Sequence, residues 1–317
     1  MMKRIFLLVC GLASILLIVL AGLVGFTWAV GRVVPLHTAQ IAYTSEHDGS
    51  SDLFLVDMPR HLTHRLTWEP LSDRDPAWSP DGEWLAFVSN RDFDEEIYLL
   101  HVYTGAIRQL TENQVADHSP AWSPDGQKIA FASSRSGSTD LFVTDVFTGE
   151  TVQLTANSGW NSAPTWSPDG QWLVFTSNRE GYGMLYVMPA TGGDARQITQ
   201  NAGWYLNPAW SPDSRWIAFD SGGVTDSEIY LLDTTCLQSG LDCAAFTQRL
   251  TQNDRLDAGP AWSPDSRHII YTSGAGFLRY NLVAVPTDCY RIPSGCETAV
   301  QVITDERFVD WSPVWRP

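Results

Sequence analysis

From Ile41 onward, apolar and polar residues alternate in short bursts, and the same order of bursts recurs along the whole chain. Alternating strands are read at Ile41–Ser45, Leu85–Ser89, Ile129–Ser133, Leu173–Ser177, Ile217–Ser221 and Ile269–Ser273. A further strand begins in each unit at Leu53, Ile97, Leu141, Leu185, Ile229 or Leu282. The last strand of each unit ends in Leu-Thr or Ile-Thr at Thr67, Thr111, Thr155, Thr199, Thr251 or Thr304. With one more strand ahead of the alternating one, each unit is expected to be a four-stranded antiparallel meander, and the fold class is all-β.

The strand that opens each unit carries the phrase Pro-Ala-Trp-Ser-Pro-Asp-Gly or a close variant, around Trp78, Trp122, Trp166, Trp210 and Trp262, with a degenerate copy at Ser312-Pro313-Val314-Trp315. The first three intervals are 44 residues, the next 52 and the last 53. Ser-Pro-Asp-Gly is a turn for physical reasons: Pro fixes φ, Asp bonds the neighbouring backbone, and Gly accepts positive φ where the hairpin closes. The repeated Trp is expected to wedge between neighbouring sheets. One such unit cannot bury both of its faces, so the units are expected to stack radially as a six-bladed β-propeller.

The chain enters this pattern on a second strand and leaves it on a first strand, so its two ends are expected to complete one blade. Blade one would hold residues 39–69 with the C-terminal strand 309–317, and the others residues 72–112, 116–156, 160–200, 204–252 and 256–304. That closure removes the open sheet edges of an interrupted ring.

Ahead of the repeats, Ile5 to Val30 form 26 consecutive uncharged, mostly apolar residues behind Lys3 and Arg4. Such a run exceeds the ~7–15 apolar residues of a secretory signal. Residues 1–30 are therefore expected to be an uncleaved signal anchor and transmembrane helix, with cleavage near Ala21 or Ala29 as the rival, and 31–38 a linker. The positive-inside rule would then place residues 39–317 outside the cytoplasm, in the periplasm or at the cell surface, on a single-pass membrane protein.

The Trp-Ser-Pro-Asp-Gly phrases, followed by strands such as Ile129-Ala130-Phe131-Ala132-Ser133, resemble the WD40-like PD40 repeats of the TolB-type propellers. The resemblance covers residues 39–317 and implies the propeller fold. TolB itself carries an α/β domain ahead of its propeller, whereas here Arg32 to Thr38 is all that stands between the apolar run and the repeats. No Tol-Pal role is carried over.

Four cysteines lie in the two insertions that lengthen the last two units, as equally spaced pairs: Cys236 with Cys243, and Cys289 with Cys296. Two local disulfides are expected in an oxidising compartment, with a shared four-cysteine zinc site as the rival. The formal net charge of −16 disfavours nucleic acid and anionic lipid as partners. The chain has no Gly-x-Ser-x-Gly elbow, no Walker loop and no His-Glu-x-x-His, and no cofactor is expected. Asn90, Asp92, Asp94 and Glu96 alternate as in a calcium loop but lack its turn Gly and distant Glu.

Strand alternation puts the blade-to-blade connections on one face of the disc and the Ser-Pro-Asp-Gly turns and Cys hairpins on the other. Five residues before each repeated Trp stand Asp73, Asp117, Asn161, Tyr205, Asp257 and Asp310, a ring expected at the channel mouth, or else residues that bond the crossing backbone. Beside them, Arg74, His118, Trp160, Trp204 and Trp311 vary between units, and exposed aromatics next to polar groups characterise recognition surfaces. The expected function is a membrane-anchored binding module for a protein, peptide or envelope polysaccharide. The enzyme alternative is a carbohydrate-active lyase or hydrolase using acids at the channel mouth.

Overall fold

The computed structural model describes residues 40–317 apart from 48, 59, 61, 157–158, 201–202, 224–225, 240–241, 275–279, 292–295 and 305–307. Its sheets are built from the repeat units as antiparallel meanders, with one parallel joint, and are arranged around a central channel. The alternating strands, such as Trp84–Ser89, Lys128–Ser133 and Trp172–Ser177, are buried on both faces after their first residue. Both faces are covered because each sheet lies between two neighbours. One core position recurs: Phe87, Phe131, Phe175, Phe219 and Tyr271 are all fully buried. Core clusters span adjacent units, as where Leu53 and Leu55 of one pack with Leu85, Phe87 and Tyr98 of the next. Stacking therefore completes a core that no unit holds alone.

The recurring Thr has a structural role in each unit. Its hydroxyl accepts an N–H near the start of the third strand, from Leu53 to Thr67, Ile97 to Thr111, Leu141 to Thr155, Leu185 to Thr199, Ile229 to Thr251 and Leu282 to Thr304, all within 2.9–3.0 Å. The Ser-Pro-Asp-Gly turn is equally regular. Asp81 accepts from the Ser79 hydroxyl at 2.5 Å and from the Glu83 N–H at 2.9 Å, while Gly82 takes a φ of 67°. Where the phrase ends in Ser, Ser214 and Ser266 adopt the same left-handed conformation, at 64° and 59°.

The C-terminal strand Val309–Trp315 pairs antiparallel with the first described strand, Gln40–His47, setting Ile41 opposite Trp315 and Ser45 opposite Asp310. The expectation of six separate blades is corrected here. Four blades stand as separate four-stranded sheets, and the remaining strands form one eight-stranded sheet. The joint is a single parallel pairing of Tyr280 with Val309, where the closing strand enters beside the preceding unit.

The membrane expectation is also corrected. Among the described residues no helix is long and apolar enough to cross a membrane, so a single-pass membrane protein with an extracytoplasmic propeller is not what this structure displays. The proposed anchor at residues 1–30 and linker at 31–38 lie outside the described residues.

Candidate binding channel and loop face

The inner strands Asp73–Trp78, Asp117–Trp122, Asn161–Trp166, Tyr205–Trp210, Leu256–Trp262 and Val309–Trp315 wall a channel of about 770 Å³. Each strand contains an irregularity that sequence reading did not anticipate. Two residues after each ring position the chain turns left-handed, at Asp75, Ser119, Ala163, Asn207, Gly259 and Ser312, with φ between 49° and 62°. A proline follows every one of them. In the five units paired through a following second strand, the sheet register slips at this point, as between Arg74 and Ala77. Left-handed non-glycine backbone is costly, about 1–3 kcal/mol each, and persists only where the surroundings impose it. These bulges aim backbone and small side chains into the channel. The sequence signal was available: small or polar residues precede the same proline in all six units.

The expected acidic ring is placed behind this wall. Asp73 is fully buried and accepts from Arg91 at 3.1 and 3.2 Å. Asp117 accepts from Arg135 at 2.5 Å and from the Asn113 amide at 2.9 Å. Asn161 accepts from Arg179 at 3.3 Å and donates to Asp140 at 3.1 Å, while Asp257 accepts from Ser273 at 2.6 Å and Asn253 at 2.8 Å. Asp310 is buried, and the Tyr205 hydroxyl donates to the Gln200 carbonyl at 2.8 Å. Arg91, Arg135 and Arg179 lie over aromatic pairs, Phe87 with Tyr98, Phe131 with Phe142 and Phe175 with Tyr186. The ring residues thus tie inner strands to neighbouring turns, with the cations held on π faces.

Arg74 and His118, by contrast, are brought together. Arg74 pairs with Asp75 and, at 2.6 Å, with Glu95. His118 Nδ1 lies 3.1 Å from the Ser119 hydroxyl, and burial first, then the Arg74 charge, lowers its pKa, so the ring is neutral at pH 7. Trp311 is half-buried in the channel wall. Trp204 is 43% exposed and lies against Gly183, where an added Cβ would come within 2.8 Å of its ring. Trp160 is half-buried, its N–H given to Asn178 at 2.7 Å. Phe93, 92% exposed at a φ of 79°, and Tyr182 stand in turns after second strands, adding aromatic surface to the face that carries Trp204.

One buried carboxylate has no counterpart in the earlier units, which hold Val88, Ala132 and Thr176 at its place. Asp220 is fully buried beside the wall and accepts from the Gly259 N–H at 3.0 Å and the Asn207 amide at 2.9 Å. Desolvation pushes its pKa up to about 6 against those two bonds. Glu96, the last member of the calcium-like run, is likewise raised, to about 7, chiefly by burial. It is bound to Thr111 and the Asn113 N–H, each at 2.5 Å. Asp92 accepts from Gln109, and Asn90 accepts from the Ser72 N–H. The four oxygens do not converge, and among the described residues no group of three or more His, Cys, Asp or Glu could hold a metal. The cysteines are disulfide-bonded, Cys236 to Cys243 and Cys289 to Cys296.

Radial four-stranded meanders around an open channel define a β-propeller. The chain belongs to the TolB β-propeller family: the family model described as PD40, TolB beta propeller domain, matches residues 92–289. Among solved structures it is similar to TolB from Acinetobacter baumannii, at 23% identity and a TM-score of 0.75 over 88% of this chain and 67% of that one. A putative TolB from Agrobacterium tumefaciens is similar at 17% identity and a TM-score of 0.67, over 89% and 100%. An oligogalacturonate lyase in complex with manganese is similar at 15% identity and a TM-score of 0.55, over 81% and 72%. At these identities the likeness is one of fold. No curated protein sequence matches the chain.

Proposed function

We propose that this protein is a non-catalytic binding module that takes a segment of a partner protein into its channel, with the aromatic loop face as the surrounding platform. The observation that carries this reading is the wall itself. About 770 Å³ of open space is lined mainly by Pro, Ala and Trp residues, the apolar concavity with few polar groups that recognition sites use. Trp311 within the channel and Trp204 on the face above are the aromatic anchors expected to dominate binding. The hydrolase form of the enzyme reading needs two carboxylates about 5–9.5 Å apart across a pocket. Among the described lining residues Asp75 is the one carboxylate, and Arg74 neutralises it. The lyase likeness supports a glycan occupant as the second reading.

The test places a photo-crosslinking residue at Ser119 or Ser312 and, as a control, at Lys128 on the opposite face, in cells of the source organism. A discrete protein adduct from the channel positions alone, lost when Trp204→Ala is added, is the expected result. Equal adducts from Lys128, or unchanged capture in the Trp204→Ala variant, would refute it.

A further inference from the structure

The face that carries the Ser-Pro-Asp-Gly turns holds a second cavity, of about 310 Å³, between the fourth and fifth repeat units. Two tryptophans line it, and each differs from some of its repeat equivalents. The indole N–H groups of Trp78, Trp166 and Trp262 donate to the backbone of the neighbouring inner strand, at Val314, Ala121 and Ala209. Trp210 instead points its N–H at Ser214 of its own turn, at 3.4 Å, and is only half-buried. Trp172 is 43% exposed, whereas Trp84 at the same place in an earlier unit packs edge-on against His101 at 4.8 Å.

The opposite wall comes from the insertion that lengthens the fifth unit. Thr234 donates to the Ser214 carbonyl at 2.7 Å, Arg196 donates to the Leu237 carbonyl at 3.1 Å, and the Cys236–Cys243 disulfide staples the segment behind them. The disulfide thus fixes one side of a cleft. Its polar groups carry both signs: Asp169, held ionised by the Ser167 hydroxyl and the Gln171 N–H, exposed Asp194, and Arg196.

We propose that this cleft binds a neutral pyranose unit of a glycan, with Trp172 and Trp210 as stacking surfaces and Asp194 and Arg196 as hydroxyl partners. A sugar ring offers an apolar C–H face to an indole, and its hydroxyls both donate to carboxylates and accept from a guanidinium. A cationic ligand would meet Arg196, and an anionic one would meet both aspartates. A cavity of this size holds one or two rings. Trp210 borders both cavities, but Trp172, Asp194 and Arg196 do not line the channel, so variants at those three test the cleft apart from the channel proposal.

The experiment is saturation-transfer NMR and tryptophan fluorescence titration of the full chain. The probes are methyl β-D-glucopyranoside, methyl β-D-galactopyranoside and N-acetylglucosamine, with tetramethylammonium chloride as the cationic comparison. At least one pyranoside should bind, Trp172→Ala should weaken it at least tenfold, and Asp194→Asn several-fold. Trp84→Ala should leave it unchanged. Should Trp172→Ala lose its native melting transition, Asp194→Asn and Arg196→Met carry the test. Failure of all three pyranosides to bind, binding that none of the cleft variants weakens, or Trp172-dependent binding of tetramethylammonium alone would overturn the proposal.

Discussion

Replacing Asp220 by Asn should make the propeller more stable at neutral pH and not at acid pH. The folded state pushes the Asp220 pKa up to about 6, chiefly by desolvation, from a usual value near 3.8. Below about pH 3 the carboxyl is protonated in both folded and unfolded chains, so burial carries no ionisation penalty. As pH rises the unfolded chain releases this proton first, and the folded state loses stability until about pH 6, where the loss levels off. Two pKa units correspond to about 3 kcal/mol at ~1.36 kcal/mol per unit. Asn keeps an oxygen for the Gly259 N–H and the Asn207 amide, so the neutral hydrogen bonds survive while the charge is removed. Glu96 is raised as well, but it is present in both proteins and cancels in the comparison. Urea unfolding at pH 4.0, 5.0, 6.0 and 7.5 measures the difference. The Asn variant should gain about 2.5 kcal/mol over the parent between the lowest and highest pH, because the unfolded carboxyl is already partly ionised at the lowest. A difference that stays constant with pH would show that Asp220 is not buried as a reluctant acid.

The remaining predictions concern the packing and the ring. Trp166→Ala should cost about 3–5 kcal/mol, because this buried indole fills the space between units and donates to the Ala121 carbonyl at 3.1 Å, and a calorimetric melt would measure the loss. Arg135→Met should cost about 3–5 kcal/mol by stranding the buried Asp117 charge, and adding Asp117→Asn should recover most of it, a double-mutant cycle in urea being the measurement. Independence of the two substitutions would refute the ion pair's role.

The repeat spacing, the turn chemistry and the strand positions were all legible from the chain, because each is local. Ser-Pro-Asp-Gly closes its own hairpin, and the recurring Thr sits at a set distance from the strand it caps. The disulfide pairing was equally local, each pair being seven residues apart. The candidate site was legible only in part. Arg74 and His118, on adjacent inner strands, come within electrostatic range of each other, but Asp73, Asp117, Asn161 and Asp257 are buried and bonded to neighbouring side chains, and Asp310 is buried as well. The three arginines that claim Asp73, Asp117 and Asn161 were visible as a repeated Ser-x-Arg at 89–91, 133–135 and 177–179. What was not visible was the direction in which those guanidinium groups lie. The number of separate sheets was also hidden, since it turns on one backbone pairing at Tyr280 and Val309.

By itself the sequence determined the all-β class and the meander within each unit, because local hydrogen bonding and alternation are encoded over short stretches. Tertiary structure alone decided which polar residues face water, where the left-handed bulges aim, and that the Trp210 indole reaches its own turn rather than the neighbouring strand. Those outcomes depend on the neighbouring unit, whose side chains either take up a polar group or leave it space, and a repeat read singly contains no record of its neighbour.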